Sequence, residues 1–121
     1  GAWLQQRLAA STARWKIVIF HDPPYNSAAG AENAVYQYAY MRWPFHAWGA
    51  TAVISGHVHN YERLEMPDAD ASGQPLYGQP TIPYFVNGAG GFIPEQGFDP
   101  SFVVNGSKVR VSEYGAQLVT A

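Results

Sequence analysis

The run SGHVHNYER, Ser55 to Arg63, places two histidines two residues apart directly after the apolar stretch Thr51 to Ile54. In extended backbone such residues project to one face, so His57 and His59 are predicted to aim their imidazoles into a shared site. Two neutral imidazoles at a rigid strand end make half of a metal site. The run WKIVIFHDPPYNS, Trp15 to Ser27, repeats the pattern, with the apolar residues Ile17 to Phe20 ending directly in His21. Pro23 and Pro24 lack backbone donors, and Pro23 biases Asp22 away from helical backbone, so His21 is held on a stiff loop. Two strands that each deliver a histidine at the carboxyl end fit a metal site shared between neighbours, where α/β proteins place their chemistry.

The elements that must position these residues are short. Trp3, Leu4 and Leu8 fall at helical spacing and predict an amphipathic helix over Ala2 to Ala10. Strands are predicted at Ile17 to Phe20, Thr51 to Ser55, Tyr84 to Val86 and Lys108 to Glu113. Asn26 to Asn33 reads as a polar loop, Ala34 to Met41 as a helix, and Pro44 as the first turn of a second helix that Gly49 caps. Met66 to Pro83, rich in Pro, Gly, Asp, Ser and Gln, reads as an irregular excursion.

Composition bounds the classes. The chain has 121 residues, enough for one core but not for two domains. Only 13% are charged while 15% are aromatic, as in a segment covered by further protein. A formal charge of −2 with no basic cluster argues against a nucleic-acid partner, and no apolar run reaches membrane-spanning length. The absence of cysteine excludes disulfides and thiolate zinc sites.

His21 with Pro23 and Tyr25 matches an HxPxY block, GHVHNYER matches a GHxH block, and PYFVNGAGG, Pro83 to Gly91, matches the strand and glycine turn that follow. In this order the blocks resemble the C-terminal half of calcineurin-like metallophosphoesterases, closest to the purple acid phosphatase-like branch. RWPFHAWGATAV, Arg42 to Val53, looks like that branch's helix leading into the GHxH strand. The resemblance implies an α/β fold, half of a four-layer αββα sandwich with a mixed sheet. It implies metal-dependent hydrolysis of phosphate esters at a dinuclear centre of divalent or trivalent Fe, Zn or Mn, with a metal-bound hydroxide attacking phosphorus. In that scheme His21, His57 and His59 are the catalytic and metal-ligating residues, His21 and His57 on one ion and His59 on the other. A secreted or periplasmic location is implied by the same resemblance alone.

The family's earlier blocks supply aspartates and an asparagine through DxH, GDxx(D/Y) and GNH motifs, and this sequence has no GD, GN or DxH. Residues 1–121 are therefore expected to be the C-terminal portion of one catalytic domain, truncated at both ends. Such a chain would be inactive alone, and would pair with its missing N-terminal half or with itself. A non-catalytic metal-binding or interaction fragment, whose aromatic surface pairs with another chain, remains the alternative. His46 is expected to face solvent, and Glu32, His46 or a residue in the missing half could stand in for the general acid that the family places after HxPxY. Asp22 could touch the site or a metal water but is expected to be an exposed loop carboxylate, and Asn60 to Arg63 to brace the loop through hydrogen bonds and an ion pair. Trp15, Trp43, Phe45 and Trp48 are expected in the core. Gly88, Gly90 and Gly91 read as conformational relief after a strand, with close approach to the site as the functional reading.

Overall fold

The computed structural model describes residues 1–28, 38–91, 97–98 and 100–120. Helix α1, Ala2–Ala10, forms where predicted and ends at Ser11. The Lys16 ammonium donates to the Leu8 carbonyl at 3.0 Å, a cation on the electronegative end of the helix. Leu8 is its buried residue and Leu4 packs partly beside it, whereas Trp3 is exposed, so the apolar stripe is narrower than its spacing suggests.

Five strands form one mixed sheet in the order β1-β2-β4-β3-β5. They are β1 Ile17–Ile19, β2 Ala52–Ser55, β3 Tyr61–Pro67, β4 Thr81–Asn87 and β5 Ser107–Val111. β1, β2 and β4 run parallel, while β3 runs antiparallel to both β4 and β5. The carboxyl ends of the parallel trio therefore meet at one edge, and the segments leaving that edge carry His21, the GHVH run and Gly88.

Side chains alternate across the sheet with the two-residue period of extended chain. The register aligns Val18, Val53, Tyr84 and Leu64 on one face, where all four are buried. Phe45, Tyr25, Val58 and Leu8 complete this core, with Trp43 and Trp48 packed partly against it. On the other face Ile17, Ile19, Val109 and Val111 stay exposed, Ile19 at 73%.

Several elements differ from the sequence expectation. Tyr61–Pro67 is a strand, so Met66, Pro67 and Thr81 to Pro83 belong to the sheet and only residues 68–80 connect β3 to β4. The inward positions of β3 are Glu62, Leu64 and Met66, and a carboxylate at the first of them conceals the alternation. The segment after Pro44 is a single turn rather than a helix. Trp48 N–H donates to the Pro44 carbonyl at 3.0 Å, and Gly49, at φ 88°, turns the chain toward β2. Asp68 holds the front of this turn by accepting from His46 N–H and Ala47 N–H, both at 2.9 Å. Ala39–Met41 is a short 3-10 turn, residues 34–37 of the predicted helix lie outside the described residues, and so does Glu32. Trp15 is half exposed because it precedes β1 rather than facing the core. No helix among the described residues is long and apolar enough to cross a membrane.

Candidate metal centre

The β1–β2 pairing continues beyond both strands and brings their exits together. Phe20 N–H donates to Ile54 O at 3.2 Å, and Gly56 N–H donates to His21 O at 2.9 Å. His21 thus leaves β1 directly opposite the residue before His57. The following loop is packed rather than solvated, with Pro23, Pro24, Tyr25, Asn26 and Ser27 all buried. Tyr25 meets the Tyr84 ring edge-on at 5.4 Å, and Ser27 is fastened at the far end by the Glu62 carboxylate.

The GHVH run is a pair of tight turns instead of extended chain. Val58 N–H donates to Gly56 O at 2.7 Å, closing a three-residue turn centred on His57, whose φ is 61°. That left-handed geometry is uncommon for a residue with a Cβ and concentrates at functional sites. Asn60 N–H then donates to Val58 O at 2.8 Å, closing a second turn around His59. His57 and His59 consequently lack the extended backbone that would put them on one face, contrary to the sequence expectation. Gly88 packs against this double turn, donating its N–H to Asn60 O at 3.0 Å. A Cβ on Gly88 would lie 2.0 Å from the Val58 carbonyl oxygen, so this glycine serves close approach, whereas Gly90 and Gly91 have open space around them.

His57 Nδ1 lies 2.9 Å from His21 Nε2 and 3.5 Å from Asp22 Oδ1. One ligand atom from each of the three residues lies within 4.8 Å of the others. The rings meet edge to face, with centroids 4.9 Å apart. Ligands bonded to one ion at about 2.1 Å, with angles between 90° and 110°, are themselves about 3.0 to 3.4 Å apart. The two separations from His57 are close to that range and all three atoms lie within 4.8 Å, so the group could hold an ion, and its two imidazoles and one carboxylate suit a first-row transition metal. Asp22 is a half-buried member of this group rather than a bystander, because burial of Pro23 and Pro24 turns the loop inward. His59 is half-buried and outside the converging three, and His46 is exposed beside Asp68. Glu62 braces the loop by accepting hydrogen bonds, and Arg63 points outward from β3.

The sequence model of the calcineurin-like phosphoesterases matches residues 1–61, the stretch that carries His21, Asp22 and His57. The chain belongs to the calcineurin-like phosphoesterase family. It is also 42% identical over 69 residues to an acid phosphatase of Aspergillus ficuum, a match covering 51% of this chain and 10% of that protein. The chain thus spans about a tenth of the length of the curated relative it matches.

In this calcineurin-like phosphoesterase the HxPxY tyrosine is a core residue. Burial pushes the Tyr25 hydroxyl up from 10.0 to about 12, against the opposing pull of Arg42. Burial raises Tyr84 as well. An unfolded tyrosine ionises near pH 10, so above that pH the unfolded state loses its proton first and stability falls until the folded group titrates near 12. Denaturant titrations from pH 9 to 12 are expected to show a loss on the order of 2 kcal/mol from Tyr25, absent in Tyr25→Phe. The Tyr25 hydroxyl is buried with no hydrogen-bond partner among the described residues, so at neutral pH Tyr25→Phe should cost nothing measurable. A neutral-pH loss of several kcal/mol would contradict this account of the hydroxyl.

Proposed function

We propose that this chain supplies the histidine side of a metal-dependent phosphate ester hydrolase of the acid phosphatase type. The observation that carries this reading is the convergence of His21 Nε2, Asp22 Oδ1 and His57 Nδ1 at the carboxyl edge of the parallel strands. A transition-metal ion bound there supplies Lewis acidity toward the phosphoryl oxygens and toward water. The protein's own part is to hold two neutral imidazoles and a carboxylate with their lone pairs aimed inward. His21 Nε2 and His57 Nδ1 are 2.9 Å apart, a hydrogen-bonding contact that ligation of an ion would replace. The Asp22 carboxylate offsets part of the added positive charge.

His59, on the second of the two turns, is the proposed ligand of a second ion, Fe, Zn or Mn like the first. The remaining ligands, including a bridging carboxylate, come in this reading from chain outside these residues. The exposed face bearing Ile17, Ile19, Val109 and Val111 is then the seat of a second sheet from that same chain, completing a four-layer sandwich. The purple acid phosphatase-like branch and a secreted or periplasmic setting rest on sequence resemblance.

Titration of the chain with Zn²⁺ or Mn²⁺ is expected to give one bound ion, lost in His57→Ala and retained in His46→Ala. Binding should weaken as pH falls, because a protonated imidazole cannot ligate. Mixed with the rest of its protein, the chain should support hydrolysis of an aryl phosphate that a chelator or His59→Ala abolishes. Equal loss of metal in the His57 and His46 variants would overturn the ligand assignment. Chelator-sensitive turnover by the chain alone would overturn the shared site.

A further inference from the structure

We propose that Arg42 is a positioning residue that sets His21 and Asp22 in ligand geometry by clamping the loop between them and the core. The proposal rests on the metal-site reading above.

Between its anchors at His21 and Ser27 the loop has few backbone donors of its own. Pro23 and Pro24 contribute no N–H, so neither can tie this stretch to the sheet by donating. Its carbonyls must instead be met by a donor from elsewhere. Arg42 Nε donates to Pro24 O at 2.9 Å. The same guanidinium lies 4.4 Å over the centre of the Tyr25 ring, the next residue along. Its Nη1 donates to Gly73 O at 3.0 Å, anchoring the clamp in the 68–80 connection. One planar group therefore stacks on Tyr25 and bonds two carbonyls from different segments, which an ammonium point charge cannot reproduce.

The clamp acts on one arm of the site. Fixed proline φ values at Pro23 and Pro24 leave little slack between the Pro24 carbonyl and Asp22. A shift of Pro24 is thereby transmitted to Asp22 and to the His21 ring, although the His21 carbonyl stays tied to Gly56 N–H. His57 is placed mainly by β2 and the Gly88 contact. Loss of Arg42 should move the Asp22 carboxylate and the His21 ring off His57 while leaving the sheet intact.

A double-mutant comparison tests this in the 121-residue chain, with Co²⁺ as the probe. Arg42→Ala is expected to weaken Co²⁺ binding at least tenfold and to change the visible d–d spectrum, while far-ultraviolet circular dichroism is preserved. In an Asp22→Ala, His21→Ala background the same substitution should change the residual affinity by less than twofold, because the arm it positions is gone. Arg42→Lys should recover only part of the loss, and it carries the same comparison if Arg42→Ala does not fold. With no metal present, ¹⁵N-histidine spectra should show the His21–His57 ring contact in the wild type and its loss in Arg42→Ala. Equal weakening in both backgrounds, or an unchanged ring contact, would overturn the proposal. A wild-type chain that keeps the ring contact but takes up no Co²⁺ would instead count against the metal-site reading.

Discussion

Gly88→Ala is expected to remove metal binding and to destabilise the chain by about 3 kcal/mol or more, beyond the usual cost of adding one methyl group to a packed interior. The new Cβ would lie 2.0 Å from the Val58 carbonyl oxygen and 2.8 Å from its carbon, both backbone atoms. Neither can rotate away as a side chain would. Val58 O also accepts from Asn60 N–H, so moving it dismantles the turn around His59 and drags the turn around His57 with it. Gly90→Ala and Gly91→Ala serve as controls, since a Cβ at either meets nothing within 4 Å among the described residues. Thermal melts and zinc titrations of the three variants check this. A Gly88→Ala protein that melts and binds like the Gly90→Ala control would remove the close-approach argument.

Glu62→Ala should be nearly as severe, at about 3 to 5 kcal/mol, because the substitution strands several donors at once. The Glu62 carboxylate is fully buried and accepts from Ser27 N–H at 2.7 Å, Ser27 Oγ at 2.6 Å and Ser107 Oγ at 2.5 Å. Both serine oxygens are themselves acceptors, of Val104 N–H and of Arg110 Nη1. Removal of the carboxylate therefore loosens the His21 loop at its far end and removes the side-chain tie to Ser107 of β5, while the β3–β5 backbone pairing stays. Glu62→Gln keeps the shape but turns one acceptor into a donor facing a hydroxyl, so an intermediate loss is expected. Urea unfolding orders the three proteins, and a Glu62→Ala midpoint equal to the wild type would refute the network's role.

The elements legible in the sequence are those whose residues obey one rule at a time. Ile17 to Phe20 and Thr51 to Ile54 read as strands because every residue in them suits a buried parallel pair. β3 escaped because its inward row opens with Glu62, whose three partners come from Ser27 and Ser107, 35 and 45 positions away. The pairing of His21 with His57 was legible because strand ends converge. His57 and His59 do not share a face through extended backbone, since the chain there is doubly turned, which the two-residue spacing alone does not reveal. Asp22 is half-buried beside His57, the less expected of its two readings, because local rules place a carboxylate beside two prolines in solvent and say nothing of the packing that buries those prolines. The demand at Gly88 depends on a backbone 30 positions earlier in the chain, and no local pattern announces it.

The left-handed backbone at His57 sets folding and chemistry against each other within a single residue. A glycine would adopt φ 61° freely, while a histidine holds it at a cost on the order of 1 kcal/mol. The sequence variants most favourable to the fold at this position are thus the ones that discard the imidazole. Any search for a more stable form of this chain that reads only stability will drift toward erasing residue 57, and it must be constrained there to keep a ligand.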